Sequence, residues 1–136
     1  MIEIILNGPP KAQKRARIAR HNRMYDPSNK DKKQIWIQIA KYKPKKPITG
    51  GITVKLLFVL GRPKHHYRTG KYKHMLKEKF KNVYYVTNKP DADNLAKLIL
   101  DVLEPNFYLN DSQVCRLQVE KIYGKVPRTE IIIEEI

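Results

Sequence analysis

The sequence contains a single cysteine, Cys115, which excludes a disulfide framework and a zinc site built on several cysteines. A lone cysteine suits a reducing compartment. No apolar run approaches the roughly 20 residues that a membrane span needs. The first residues carry neither a basic lead nor a cleavage site, so they do not resemble a signal peptide. We therefore expect a cytoplasmic protein with no membrane association.

Acidic residues are scarce, with 13 Asp and Glu against 28 Lys and Arg, and the formal net charge is +15 over 136 residues. The excess is concentrated in two segments. Residues 11–46 contain 13 basic and two acidic residues, and residues 62–89 contain nine basic and one acidic residue. Residues 90–136 have the opposite balance, with five basic and nine acidic residues. Aromatic side chains are interleaved with the basic ones, so the composition predicts a nucleic-acid partner.

The hydrophobic pattern predicts one domain over residues 1–136, of α+β class, with a small mixed β-sheet packed with helices. Predicted strands cover 2–6, 52–60, 112–123 and 129–136, and predicted helices cover about 26–42 and 93–103. The strand over 52–60 is mostly apolar on both faces, which favours a central position in the sheet.

Two basic connections separate these elements, a basic loop over residues 11–24 and a basic insertion over residues 62–89. Neither has apolar periodicity, although a short helix is possible over residues 74–80. A connection as long as the basic insertion is usually functional or mobile, and it could serve as a flexible arm that becomes ordered on nucleic acid.

Two of the scarce acids, Asp91 and Asp93, lie two residues apart beside the basic insertion and just after Pro90. Pro90 favours an extended backbone, so Asp93 or Asn94 is expected at the helix N-cap. The helix and the turn after it have a suitable length to bring Asp111 back toward the first two acids. Three carboxylates in a positive field are suited to bind Mg²⁺, which prefers carboxylates, waters and phosphate oxygens.

Lys97 lies four residues after Asp93 on the polar side of the predicted helix, where it could stabilise charge on a transition state or a leaving oxygen. A purely structural interpretation is also available. An aspartate at a helix start can serve as a cap, and Asp93–Lys97 and Lys97–Asp101 can be ordinary i,i+4 pairs. The spacing alone leaves both interpretations open.

The segment Lys89-Pro-Asp-Ala-Asp-Asn-Leu-Ala-Lys97, followed by Asn110-Asp-Ser-Gln-Val114, resembles the signature of RusA-type Holliday junction resolvases. Residues 8–17 resemble the opening segment of that family, and residues 123–130 resemble the ending of its phage-type and Gram-positive members. The resemblance implies a homodimer that depends on Mg²⁺, with Mn²⁺ as a substitute, and needs no small-molecule cofactor. Its implied activity is the resolution of four-way DNA junctions by symmetric paired nicks, in DNA recombination and repair.

The resemblance also implies roles for individual residues. The metal-binding acids would be Asp91, Asp93 and Asp111, and the catalytic residues would be these three with Lys97. Asn110 departs from the family pattern, which usually has two acids before Ser-Gln; if the first of these acids tunes metal affinity, this chain would need more Mg²⁺. The basic segments supply the expected DNA contacts: Lys14, Arg15, Arg17, Arg20, Arg23, Lys71, Lys73 and Lys89.

Two other functions are compatible with the sequence. A non-catalytic nucleic-acid-binding protein would explain the charge and the aromatic residues, but not an acidic cluster beside the basic segments. A less selective metal-dependent nuclease, acting on flaps or single strands, would use the same acids.

Overall fold

The computed structural model, which describes residues 1–19 and 22–136, contains a four-stranded sheet, a small two-stranded antiparallel sheet formed by the second and third strands, and two α-helices. The elements in chain order are β1 (Ile2–Asn7), β2 (Arg17–Ile18), β3 (Met24–Tyr25), α1 (Asn29–Ile39), β4 (Ile52–Leu60), α2 (Ala92–Leu103), β5 (Val114–Tyr123) and β6 (Arg128–Glu135). The sheet order is β1-β6-β4-β5, with β4 and β5 parallel and the other neighbours antiparallel. The predicted α+β class with a small mixed sheet is confirmed.

Strand β4 lies inside the sheet, between β6 and β5, as its apolar character predicts. The side chains of Ile52, Val54, Leu56 and Phe58 point to one face and are buried there with Ile131 and Ile133 of β6. Both helices pack on this face, so the core lies between the sheet and the helix pair.

Helix α2 has the amphipathic stripe that the sequence predicts. Its buried residues are Leu95, Ala96, Leu98, Ile99, Val102 and Leu103. The stripe faces the core, which leaves the polar edge of the helix beside β5. With 12 residues, α2 is the longer of the two α-helices. Within residues 1–19 and 22–136, no helix is both long enough and apolar enough to cross a bilayer.

The basic insertion folds against the end of β5. His66 is buried, its ring stacks on Phe80 with 4.0 Å between centroids, and it meets the Tyr123 ring edge-on at 5.0 Å. The Arg62 guanidinium donates hydrogen bonds to the Phe80 and Val83 carbonyls at 3.3 and 2.8 Å. These contacts give the insertion a small core of its own.

The short helix proposed over residues 74–80 is wrong as an α-helix, because only Glu78–Phe80 forms a single 3₁₀ turn there. The backbone groups find partners across the insertion instead. The Lys77 N–H donates to the His66 carbonyl at 2.9 Å, and Tyr67 forms a β-bridge with Leu76. Pairing across a loop takes up the donors that a helix would need.

We predict that acid destabilises the fold partly through His66. Burial, together with the positive charges of His65, Arg62 and Lys77, lowers the pKa of His66 below its usual 6.5. The unfolded chain therefore takes up a proton that the folded chain resists, so stability falls as the pH drops below about 6.5. Urea unfolding at pH 7.5 and 5.5 should show a smaller loss for His66→Phe than for the unsubstituted protein. His74→Phe, at an exposed histidine, should retain the full loss, and an unchanged loss in His66→Phe would contradict this account.

Candidate active site

Helix α2 begins at Ala92 with Asp91 at its N-cap, which is two or three residues before the predicted N-cap at Asp93 or Asn94. The Asp91 backbone is extended, with φ −73° and ψ 144°, and its carbonyl accepts the first helical hydrogen bond from Leu95 N–H at 3.1 Å. Its carboxylate makes no capping hydrogen bond. The exposed Asp91 carboxylate is therefore not engaged in stabilising the helix.

A groove of about 430 Å³ separates the polar edge of α2 from β5. Asp93, Lys97 and Asp101 follow one another at i, i+4 and i+8 along the helix side of this groove. Asp111 enters it from the turn before β5. Its apolar lining is Ala92, Ala96, Leu100, Leu117 and Val119. The groove thus combines three carboxylates and one ammonium group with an otherwise apolar surface.

The ion pairs of α2 differ from the i,i+4 pairs that the sequence allows. Asp101 lies 3.3 Å from the Lys32 ammonium of α1, which also contacts Asp26 at 2.7 Å. The hydrogen bond from Lys32 lowers the pKa of Asp26, and both acids raise the pKa of Lys32 against the opposing effect of its burial. Lys97 forms no ion pair within 4.0 Å among the described residues. Its charge is therefore available to a ligand in the groove.

The turn that carries Asp111 is held by its two polar neighbours. The Asn110 side chain accepts a hydrogen bond from Ser112 N–H, and the Gln113 side chain accepts one from Asn110 N–H, each at 2.9 Å. The Gln113 amide also donates to the Ile48 and Gly50 carbonyls at 2.7 and 2.9 Å, just before β4. Asn110 thus serves as the cap of this turn.

Asp111 lies in a partly buried, acidic surrounding. Burial and the neighbouring Glu104 raise the pKa of Asp111, whereas a hydrogen bond from Tyr108 opposes the rise. The Tyr108 hydroxyl lies 3.1 Å from both Asp111 Oδ1 and the Leu100 carbonyl oxygen. Burial also raises the pKa of Tyr108, so the phenol keeps the proton that it shares between these acceptors. The neutral Tyr108 hydroxyl therefore orients the Asp111 carboxylate by donating a hydrogen bond to it.

The three acids named in the sequence analysis do not form a closed cluster. Asp93 and Asp111 line the same groove, while Asp91 lies at the N-terminus of α2, outside the lining. Within 1–19 and 22–136, no three Asp, Glu, His or Cys side chains are grouped closely enough to hold a metal ion. Asp111 lies close to Asp101 of α2. Asp101 is eight residues after Asp93, which at a rise of 1.5 Å per residue places it about 12 Å further along the helix. The convergence of all three acids on one ion stays a prediction.

The basic loop is attached to the same end of α2 as Asp91 and Asp93. Gln13 N–H donates to the Asn94 carbonyl at 2.9 Å, and Lys14 N–H donates to the buried Ser28 hydroxyl at 2.8 Å. The side chains expected to contact DNA are exposed at Lys14, Arg15, Arg17, Arg23, Lys71, Lys73 and Lys89, whereas Arg20 lies outside the described residues. The structure therefore brings one basic segment directly to the acids.

Lys121 is a residue of the site that the sequence analysis missed. Its ammonium group donates to the carbonyls of Asn88 and Pro90 at 2.9 and 2.7 Å, and so it holds the chain immediately before Asp91. Asp101, Tyr108 and Gln113 were missed as well. Of these three residues, only Asp101 could have been predicted from the sequence, because it continues the i,i+4 spacing of Asp93 and Lys97 along the polar edge of the amphipathic helix.

Comparison with known proteins supports the resemblance to RusA-type resolvases that the sequence motifs indicate. The family model of endodeoxyribonuclease RusA matches residues 7–134. The uncharacterized protein YqaN of Bacillus subtilis (strain 168) is 31% identical over 140 aligned residues, covering 99% of this chain and 96% of the relative. The crossover junction endodeoxyribonuclease rusA of Lactococcus phage r1t is 26% identical over 113 residues, covering 82% of this chain and 77% of the phage protein. This chain belongs to the RusA endodeoxyribonuclease family.

Proposed function

We propose that this chain is a Mg²⁺-dependent, structure-selective endonuclease that resolves Holliday junctions by symmetric paired nicks, in DNA recombination and repair. The observation that carries the proposal is the groove between α2 and β5, which is lined by Asp93, Lys97 and Asp111. Asp91, whose carboxylate makes no capping hydrogen bond, lies at the adjoining N-terminus of α2. Lys97 forms no ion pair within 4.0 Å among the described residues. A binding protein would have no use for such a set in a chain of charge +15.

The donor set of the groove fits a hard divalent cation. Its ionisable groups apart from Lys97 are carboxylates, and the only cysteine, Cys115, is not in the lining. Mg²⁺ needs only one or two protein carboxylates, since waters and phosphate oxygens complete its shell, and Mn²⁺ takes the same oxygen ligands. We propose Asp91, Asp93 and Asp111 as its ligands. When bound, the ion supplies an activated water and Lewis-acid stabilisation of the scissile phosphate.

The chain's own residues orient the phosphodiester and balance its charge. Lys97 projects from the middle of the helix side of the groove, where its ammonium group would donate to a phosphate oxygen and neutralise charge in the transition state. Tyr108 keeps the Asp111 carboxylate oriented, and the apolar groove lining limits competing water. Lys121 holds the chain before Asp91 at a fixed distance from β5.

DNA binding is proposed to come from the exposed basic residues of the two basic segments. The backbone contact of Gln13 to α2 places Lys14 and Arg15 near the acids, so phosphates gathered there would enter the groove. Two copies of the chain, related by a two-fold axis, would present two grooves and cut two strands symmetrically. A DNA substrate and an unpaired Cys115 suit the cytoplasm.

We predict that Asp91→Asn loses junction cleavage by at least about 100-fold, because a ligand of the cation is removed. Binding should be kept or become tighter, since a charge that repels phosphate is removed. The measurement is a gel assay on a synthetic four-way junction with Mg²⁺ or EDTA, with a flap and a plain duplex as competitors. Asp31→Asn on α1, outside the groove, is the matched control.

Each outcome of this assay assigns a function. Paired nicks that need both Mg²⁺ and Asp91 support the resolvase. Tight junction binding without cutting under any metal would leave a non-catalytic binding protein and refute the enzyme. Equal or faster cutting of flaps or single strands would replace the resolvase with a less selective nuclease.

We further predict that the basic loop sets the salt dependence of binding. Replacing Lys14, Arg15 and Arg23 together by Gln should lower the slope of log affinity against log salt by about 1 for each phosphate that the loop no longer neutralises. Fluorescence anisotropy with a labelled junction over a series of salt concentrations measures the slope. The control changes Lys45 and Lys46, which lie in the connection after α1. An unaltered slope in the triple variant would show that this loop does not contact phosphates.

A further inference from the structure

Two neighbouring tyrosines of the basic insertion are exposed although they sit on an ordered part of the fold. Tyr84 is 53% and Tyr85 is 58% exposed to solvent. Their rings meet edge-on, with 5.1 Å between centroids and 83° between planes. An edge-on pair leaves flat ring surface uncovered, and that surface is available for stacking.

The backbone of this pair is fixed to the outer edge of β5. Tyr123 N–H donates to the Tyr84 carbonyl at 2.9 Å, and Val86 N–H donates to the Lys121 carbonyl at 3.0 Å. Tyr85 forms a β-bridge with Ile122. The Val83 carbonyl, just before the pair, accepts a 2.8 Å hydrogen bond from Arg62. The two phenol rings are thus presented on a fixed support, which lowers the entropic cost of using them in binding.

Lys121 joins the tyrosine pair to the candidate active site. Its carbonyl holds Val86, and its ammonium group holds the Asn88 and Pro90 carbonyls that precede Asp91. The distance from Tyr85 to Asp91 is therefore set by strand β5 and not by a free loop. The surroundings favour a polyanion, since residues 79–90 contain three lysines and no acidic residue.

We propose that Tyr84 and Tyr85 form a stacking platform for an unstacked nucleobase of DNA beside the strand that enters the groove. The inference rests on the proposed nuclease function and extends it, because a branch point is where duplex ends and bases become available for stacking. Aromatic side chains bind such bases without sequence preference, while the adjacent lysines contact the backbone. An intact duplex offers no unstacked base, so the platform gives structure selectivity that charge alone does not provide.

Tyr72 provides a matched contrast within the same insertion. It is 42% exposed, but the Arg68 guanidinium already lies over its ring at 4.6 Å and the Lys71 ammonium at 5.2 Å. Its faces are therefore less available to a base, and Tyr72→Ala serves as the control for removal of an exposed tyrosine.

The test compares the Tyr84→Ala/Tyr85→Ala double variant with Tyr84→Phe/Tyr85→Phe and Tyr72→Ala, all as the full chain in EDTA, so that no cutting occurs. The probes are a short oligothymidine of about 15 nucleotides, a four-way junction with 2-aminopurine at the branch, and a blunt duplex. Removal of both aromatic rings should weaken oligothymidine and junction binding roughly tenfold and abolish the change in 2-aminopurine fluorescence. Duplex binding should change less than about twofold, and the Phe and Tyr72→Ala variants should bind like the unsubstituted protein.

The proposal is overturned if the Ala pair binds oligothymidine and junction normally, or if it loses duplex binding to the same degree. It is also overturned if the Phe pair is as weak as the Ala pair, since the hydroxyls and not the ring faces would then be responsible. Thermal unfolding of each variant identifies a folding defect; if the Ala pair has one, the single variants Tyr84→Ala and Tyr85→Ala take its place, and normal oligothymidine binding by both would overturn the proposal. Binding to oligothymidine does not require cleavage, so failure of the platform and failure of the nuclease function are separate results.

Discussion

The burial of one face of α2 against the sheet is the constraint on which the candidate site depends. Leu95, Leu98 and Leu103 are fully buried, and each contributes about 1.5–3 kcal/mol relative to an exposed side chain. Because this face is held against the core, the helix cannot rotate about its axis, and its polar edge stays beside β5. Asp93, Lys97 and Asp101 therefore line the groove as a consequence of packing, and the turn before β5 adds Asp111 from the other side.

The elements that form the core could be predicted from the sequence because their signals are local. The i, i+3, i+4 stripe identified α2, and the alternation over residues 52–60 identified β4 together with its inner position. The aspartates and Lys97 are candidates from the sequence because acids are rare in this basic chain and because Asp91, Asp93 and Lys97 lie at the start of a predicted helix. Their assignment to one groove follows from the strand order, which brings β5 next to β4 and under the helix.

The rest of the site could not be predicted, because it depends on contacts between residues distant in sequence. Gln113 reaches the carbonyls of Ile48 and Gly50, and Lys121 reaches back 31 residues to Pro90. A side chain that binds backbone carbonyls leaves no pattern, since any residue supplies the acceptor. The N-cap was misplaced for a related reason. Asp91 occupies the N-cap through its backbone conformation, without a side-chain hydrogen bond, whereas the prediction of Asp93 or Asn94 relied on the capping preference of Asp and Asn side chains.

The proposed function requires a divalent cation that binds between α2 and the turn before β5 when DNA is present. Iron-mediated cleavage tests it most directly, because Fe²⁺ in a Mg²⁺ site, with ascorbate and peroxide, cuts the polypeptide next to the ion. With a bound four-way junction, we expect mass spectrometry to find cuts near residues 91–97 and 110–112, which excess Mg²⁺ suppresses. Cuts confined to other segments, or cuts that Mg²⁺ does not suppress, would contradict the account.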